Sequence, residues 1–246
     1  MPRFPDSKRI HRALFGVSYE EDIYEIFCAR LPFVMRSFGW RIAPEVLARK
    51  LIFIHVPRAA GTSISTALFG PRNTLHYSIR YYRTVNPRFY AEAESFAVLR
   101  DPMDRFISSY TFIRAGGTDT VELADVFLEE TRHIRSVDDY LSYLEARTPL
   151  QMDFVMRPQS WFICDLATGA PLVKKLFLLG EDSERLEHFL RGLGVAKLPH
   201  LNPSNRRPLD LTAQQTARIE RLYAADYALI ARLRAGRGAS AGLAAE

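Results

Sequence analysis

Cysteine is scarce: Cys28 and Cys164 are the only two in 246 residues, far apart and outside any Cys-x-x-Cys or Cys/His spacing. That excludes a disulfide framework and a common zinc site, and both thiols read as ordinary buried residues in a reducing compartment. Long apolar runs are missing as well. No stretch approaches the roughly 18 residues of a membrane span, and the opening MPRFPDSKRIHRALFGVSYEED has no apolar segment long enough for a secretory signal. A soluble, cytoplasmic chain is expected. Residues 23–40 alternate apolar with basic positions, a pattern compatible with peripheral contact at a membrane surface, but Pro32 interrupts it and favours packing on the core. Blocks of one charge are absent too. The formal charge is +5 with no five or six basic residues in a row, so most cations read as solvated surface. The excess favours an anionic partner, and with no nucleic-acid motif or basic face in view, a nucleic acid ranks last.

What is present alternates strand with helix. LIFIHV, Leu51 to Val56, is a continuous β-branched and apolar run, as in a central parallel strand covered on both faces. It turns through Pro57 to Gly61 into a helix capped by Thr62 or Ser63, with Ile64, Leu68 and Phe69 inward. Phe96 to Leu99 repeats the arrangement, stopping at Arg100-Asp101-Pro102 before the helical PMDRFISSYTFIR. VELADVFLEETR and VDDYLSYLEAR carry apolar positions at helical spacing. WFICDLATGAPL reads as a short strand, a turn and a return. KKLFLLG reads as a buried strand, DSERLEHFLRGLG as a capped helix, and Leu211 to Leu233 as one long final helix. The expected fold is α/β: a P-loop-like, three-layer arrangement with a central, mainly parallel sheet flanked by helices. Residues 1–50 form a helical lead-in packed on the core, 51–235 the α/β domain and 236–246 a disordered tail.

A parallel strand running through a tight loop into a helix creates an anion site, because unpaired amides and the helix dipole face the loop. Pro57-Arg58-Ala59-Ala60-Gly61-Thr62-Ser63 occupies that place. Gly61 permits close backbone approach, Thr62 and Ser63 add hydroxyls, and Arg58 adds a permanent charge. The loop is not a Walker A sequence, since Val56 stands at the first glycine position and Thr62 at the lysine, which disfavours an ATP or GTP hydrolase. After the second strand, Arg100 and Ser108 are spaced to hold a further phosphate, although Arg100 can instead pair with Asp101 or Asp104. Two anion grips imply a ligand phosphorylated at two places.

The segment HVPRAAGTS resembles the 5′-phosphosulfate loop of the sulfotransferases that use 3′-phosphoadenosine-5′-phosphosulfate (PAPS), and VLRDPMDRFISSY resembles their 3′-phosphate motif. RPQSWFI, KLFLLGEDSERL and LPHLNPS look like later parts of the carbohydrate-type branch, so the likeness spans roughly Leu51 to Asp226. The resemblance implies PAPS as donor and the bisphosphate PAP as product. It puts Arg58, Ala60, Gly61, Thr62 and Ser63 on the 5′-phosphosulfate, Arg100 and Ser108 on the 3′-phosphate, and Arg206 in a loop closing over the nucleotide with Asn202, Ser204, Asn205 and Arg207. Arg58 departs from the family's usual lysine at this position; arginine keeps the charge but is a very poor proton donor.

His76 is the expected base, an imidazole titrating near neutrality at a position where several members of the family carry histidine. His55, inside the first strand, reads as a core or supporting residue, and His200 as a neighbour of the nucleotide. Arg80, Tyr81 and Arg83 are expected at the acceptor, a small molecule or glycan, because arginine with aromatic faces suits an anionic sugar or a phenol. No grouping of His, Asp or Glu suggests a metal, and activity in excess chelator is expected. A small-molecule kinase and a non-catalytic nucleotide-binding module are the competing readings. The sequence carries no sign of oligomeric state.

Overall fold

The structure, a computed structural model, describes residues 7–37, 42–70, 76–118, 121–195 and 209–243. The lead-in consists of α1 (Ser7–Phe15), α2 (Glu20–Arg30), α3 (Pro32–Ser37) and α4 (Pro44–Arg49), with Pro32 and Pro44 each opening a helix. The domain continues with β1 (Leu51–Ile54), α5 (Gly61–Phe69), α6 (Ile79–Val85), α7 (Pro87–Glu92), β2 (Glu94–Leu99) and α8 (Pro102–Ala115). A two-residue ribbon, β3 (Gly117–Thr118) and β4 (Val121–Glu122), leads into α9 (Asp125–Thr131) and α10 (Val137–Glu145). Then follow α11 (Ser160–Ile163), β5 (Lys175–Leu178), α12 (Ser183–Gly192), α13 (Ala213–Leu222) and α14 (Ala224–Leu243).

β1, β2 and β5 form a parallel sheet in that order, with Ile54 opposite Ala97 and Leu99 opposite Leu178. Alternation along the strands divides the core. Ile52 and Ile54 face a layer containing Ile79 of α6, the apolar residues of α11, and Leu229 and Ile230 of α14. Leu51 and Phe53 face the other way, onto Ile64 and Leu68 of α5 and Leu186 and Leu190 of α12. The three-layer α/β architecture therefore follows from a period-two pattern inside runs that are apolar at every position. A third cluster, drawn mainly from α8, α9, α10 and α13, includes no residue of the parallel sheet, and Cys28, Met35, Tyr81 and Val85 join the lead-in to α6. Both cysteines are buried free thiols.

Several expected elements differ, among them β1, which is expected to be central and lies at an edge of the sheet with β2 in the middle. The run WFICDL is helical over Ser160–Ile163, and only a single bridge between Cys164 and Pro171 remains of the strand and its return. Residues 211–233 divide at Tyr223 into α13 and α14. Tyr223 donates its hydroxyl to the Met156 carbonyl, and Asp226 caps the start of α11, so tertiary bonds set the break. α14 also runs on to Leu243, through most of the segment expected to be a disordered tail. β5 is shorter than expected and is an edge strand: Lys175 is exposed, and only Phe177 and Leu178 are buried.

Candidate functional site

β1 and β2 are parallel and in register, so the turns after them emerge side by side at the carboxyl edge of the sheet. In the first turn, Arg58 (φ 67°) and Ala60 (φ 62°) both adopt the left-handed conformation, flanking Ala59. Such a conformation costs a non-glycine residue on the order of 1 kcal/mol, and alternation of this kind curls backbone amides into an anion-binding concavity. Ala60 caps α5 with no side-chain acceptor, leaving the first-turn amides of Gly61, Thr62 and Ser63 without a partner among the described residues. Thr62 is exposed and Ser63 half-buried.

Gly61 serves a second purpose that its sequence context did not reveal. A Cβ there would lie 1.8 Å from the His55 ring, so the glycine makes room for a histidine as well as for a ligand. His55 is itself buried, and its carbonyl meets Nδ1 of His76 at 3.3 Å.

The second turn is tied to the first. Arg58 donates from Nε to Ser108 Oγ at 3.0 Å, and Arg100 donates from Nη1 to the Arg58 carbonyl at 3.4 Å. Arg105 is fully buried, giving Nε–H to the Pro57 carbonyl at 2.9 Å and Nη1–H to the Arg157 carbonyl at 2.7 Å. Arg58, Arg100, Arg105 and Ser108 thus converge beneath one loop. Arg58 lies over the Phe112 ring, and no carboxylate meets it among the described residues. Burial and the nearby charges of Arg100 and Arg105 hold its pKa below the ordinary arginine value. Arg100 meets the exposed Asp104 at 3.8 Å. Three neighbouring guanidinium groups, of which Arg58 meets no carboxylate among the described residues, make an attractor for an anion.

His76 packs against the rings of His55 and Phe154, at centroid distances of 4.4 and 4.8 Å. Because a carbonyl only accepts, the contact with His55 places the imidazole proton on Nδ1 and leaves the lone pair on Nε2. Burial lowers the His76 pKa to about 4, so the ring is neutral at physiological pH.

The residues expected at the acceptor are engaged elsewhere. Arg80 is buried against Glu25 and the carbonyls of Trp161 and Cys164, Tyr81 stacks on Tyr77, and Arg83 pairs with Asp165 at 3.0 Å. The helical repeat turns Arg80 and Tyr81 toward the lead-in and α11, so packing consumes them. Arg80 and Arg83 do line a cavity of about 480 Å³ with Cys28, Trp161 and Leu166, but Arg58, His76, Arg100 and Ser108 are not among its walls. Arg206, with His200, Asn202, Ser204, Asn205 and Arg207, lies outside the described residues. Among the described residues, no group of three His, Cys, Asp or Glu side chains is placed to hold a metal ion, and no helix is long and apolar enough to cross a membrane.

Sequence reasoning missed two contributors, Arg105 and Gln159. Arg105 gave one faint signal, a basic residue beside Phe106 on the inward face of α8; Gln159 gave none, because its partners are distant backbone atoms.

A family model described as the sulfotransferase family matches residues 48–230, most of the chain and all of the site described above. No curated protein and no solved structure gives a significant match.

Proposed function

The chain belongs to the sulfotransferase family, and from that premise we propose that it moves a sulfuryl group from PAPS to a hydroxyl of a small-molecule or glycan acceptor. The observation that carries this reading is the hydrogen-bonded joint between the two turns, Arg58 to Ser108 and Arg100 to the Arg58 carbonyl. It makes one cradle of two anion grips, as a nucleotide phosphorylated at both ends requires. The 5′-phosphosulfate lies against Arg58 and the amides of Ala60, Gly61, Thr62 and Ser63, and the 3′-phosphate against Arg100 and Ser108.

In this reading the acceptor oxygen attacks sulfur as the bond from sulfur to the bridging oxygen of the 5′-phosphate breaks. The acceptor proton passes to Nε2 of His76, and the charge left on the departing phosphate is taken up by Arg58 and the loop amides. Arg58 serves as an electrostatic stabiliser, since a guanidinium is too weak an acid to protonate the leaving oxygen. A pKa near 4 makes His76 by itself a weak base; the negative charge of a bound nucleotide raises it toward a useful range.

Thermal unfolding with PAP or ATP tests the ligand, because a ligand that binds only the folded state raises the midpoint. PAP stabilises the chain more than ATP does on this reading, and the reverse order overturns it. A labelled-PAPS assay over saccharide, lipid and phenolic acceptors then identifies the acceptor class. His76→Ala is the control, expected to bind PAP normally and turn over roughly 10²-fold more slowly.

A further inference from the structure

Arg100 is held from behind by a side chain remote in sequence. Gln159, fully buried before α11, donates from Nε2 to the Arg100 carbonyl at 2.7 Å and accepts at Oε1 from the Arg100 amide at 2.8 Å. A primary amide that satisfies both backbone groups of one residue fixes its plane as a paired base fixes its partner. Gln159 is fixed in turn: its own amide donates to Asp226 Oδ2 at 2.7 Å, and the Ser160 amide donates to Asp226 Oδ1 at 2.8 Å. Asp226 is 1% exposed and belongs to α14. From the same helix, Arg234 reaches Glu181 and, at 3.8 Å, Asp101 beside the clamped residue.

Arg100 directly follows the end of β2, and there Gln159 meets both its amide and its carbonyl. A guanidinium on a freely rotating backbone loses most of its value as a grip, because bidentate recognition demands a fixed plane and reach. We infer that Gln159 is a positioning residue for the 3′-phosphate: it sets the Arg100 backbone and thereby the direction of the guanidinium, with Asp226 as its anchor. Gln159 touches no ligand in this account. The inference rests on the PAPS reading above, which assigns Arg100 to the 3′-phosphate.

Two nucleotides differing only in that phosphate separate positioning from general damage. With the full chain, calorimetric titration compares adenosine 3′,5′-bisphosphate with adenosine 5′-monophosphate in wild type, Gln159→Leu, Arg100→Ala and the double variant. Gln159→Leu is expected to weaken the bisphosphate about tenfold and the monophosphate less than twofold, and in the Arg100→Ala background to weaken the bisphosphate less than twofold further. Equal losses for both nucleotides, or losses that multiply in the double variant, overturn the inference. Should Gln159→Leu fail to fold, Gln159→Glu decides: it keeps the acceptor and removes the donor, so the same selective but smaller loss is expected, and an unchanged ratio overturns the inference. A wild-type chain that binds both nucleotides equally would remove the 3′-phosphate reading and the inference with it. A wild-type preference that persists undiminished in the Gln159 variant overturns the clamp alone.

Discussion

Arg157 is fully buried and Arg58 half-buried, and their surroundings are opposites. Arg157 makes a two-pronged bond to Asp22, at 2.6 and 2.7 Å, with both side chains at zero exposure, and it also donates twice to the Met152 carbonyl. Arg58 has a serine hydroxyl, a phenyl face and two more arginines. One cation has its anion built into the fold, which ties the lead-in helices to the domain. The other meets no carboxylate among the described residues. Charge brought together without compensation weakens a protein, so its presence argues for a partner from outside.

The contrast predicts which property each arginine controls. Arg157→Leu strands the Asp22 carboxylate in the core and should cost about 3–5 kcal/mol in urea unfolding, with most of the loss recovered in Asp22→Leu/Arg157→Met. A loss below 1 kcal/mol would show that the pair is not a structural lock. Arg58→Ala should leave unfolding nearly unchanged while lowering kcat about 10²- to 10³-fold in the labelled-PAPS assay; a variant that loses stability and keeps its rate would reverse the comparison. Arg58→Lys keeps the charge and adds an acid able to protonate the leaving oxygen, so the rate holds or rises. A sharp fall with PAP affinity unchanged refutes this account of the loop.

Gly61→Ala is next in size, at about 1–3 kcal/mol of overpacking against His55. Adding His55→Ala should restore stability. Whether PAP binding returns as well tells whether the glycine makes room for the ring alone or for the nucleotide too.

The smallest effect concerns acid. The folded chain keeps His76 neutral down to about pH 4, whereas an unfolded histidine protonates near 6.5. Between those values the unfolded state binds more protons, so wild type loses stability as pH falls through this window. Relative to His76→Gln the loss should be on the order of 1 kcal/mol, since the ring is only half-buried. Parallel acid-unfolding curves for the two proteins would sink the assignment of the shift to this residue.

How much of this was legible in the sequence depended on how local the cause was. The strands were legible because β1 and the Phe96–Leu99 part of β2 are unbroken apolar runs with turn and cap residues close behind, and the loop because its glycine and hydroxyls are consecutive. The helix at Ser160–Ile163 was not, since a buried run of Trp, Phe and Ile looks alike in either conformation when it spans one turn. Nor was the break at Tyr223, where neither glycine nor proline marks it. The surroundings of Arg80-Tyr81-Tyr82-Arg83 were not legible for a similar reason: the segment has a composition suited to a ligand, while Arg80 and Tyr81 pack against the lead-in helices. The Gln159 clamp joins a side chain to the backbone of a residue 59 positions away, a relation that only the folded topology creates.

The dependence of Arg100 on Asp226 also sets a timetable. At about 5–20 residues per second, a ribosome needs roughly 6–25 s to travel from one codon to the other. During that interval the nascent chain already has the loop of Arg58 and Gly61, while the carboxylate that completes the seat behind Arg100 has not been made. The seat behind Arg100 is therefore completed only after Asp226, well downstream in the chain, has been made.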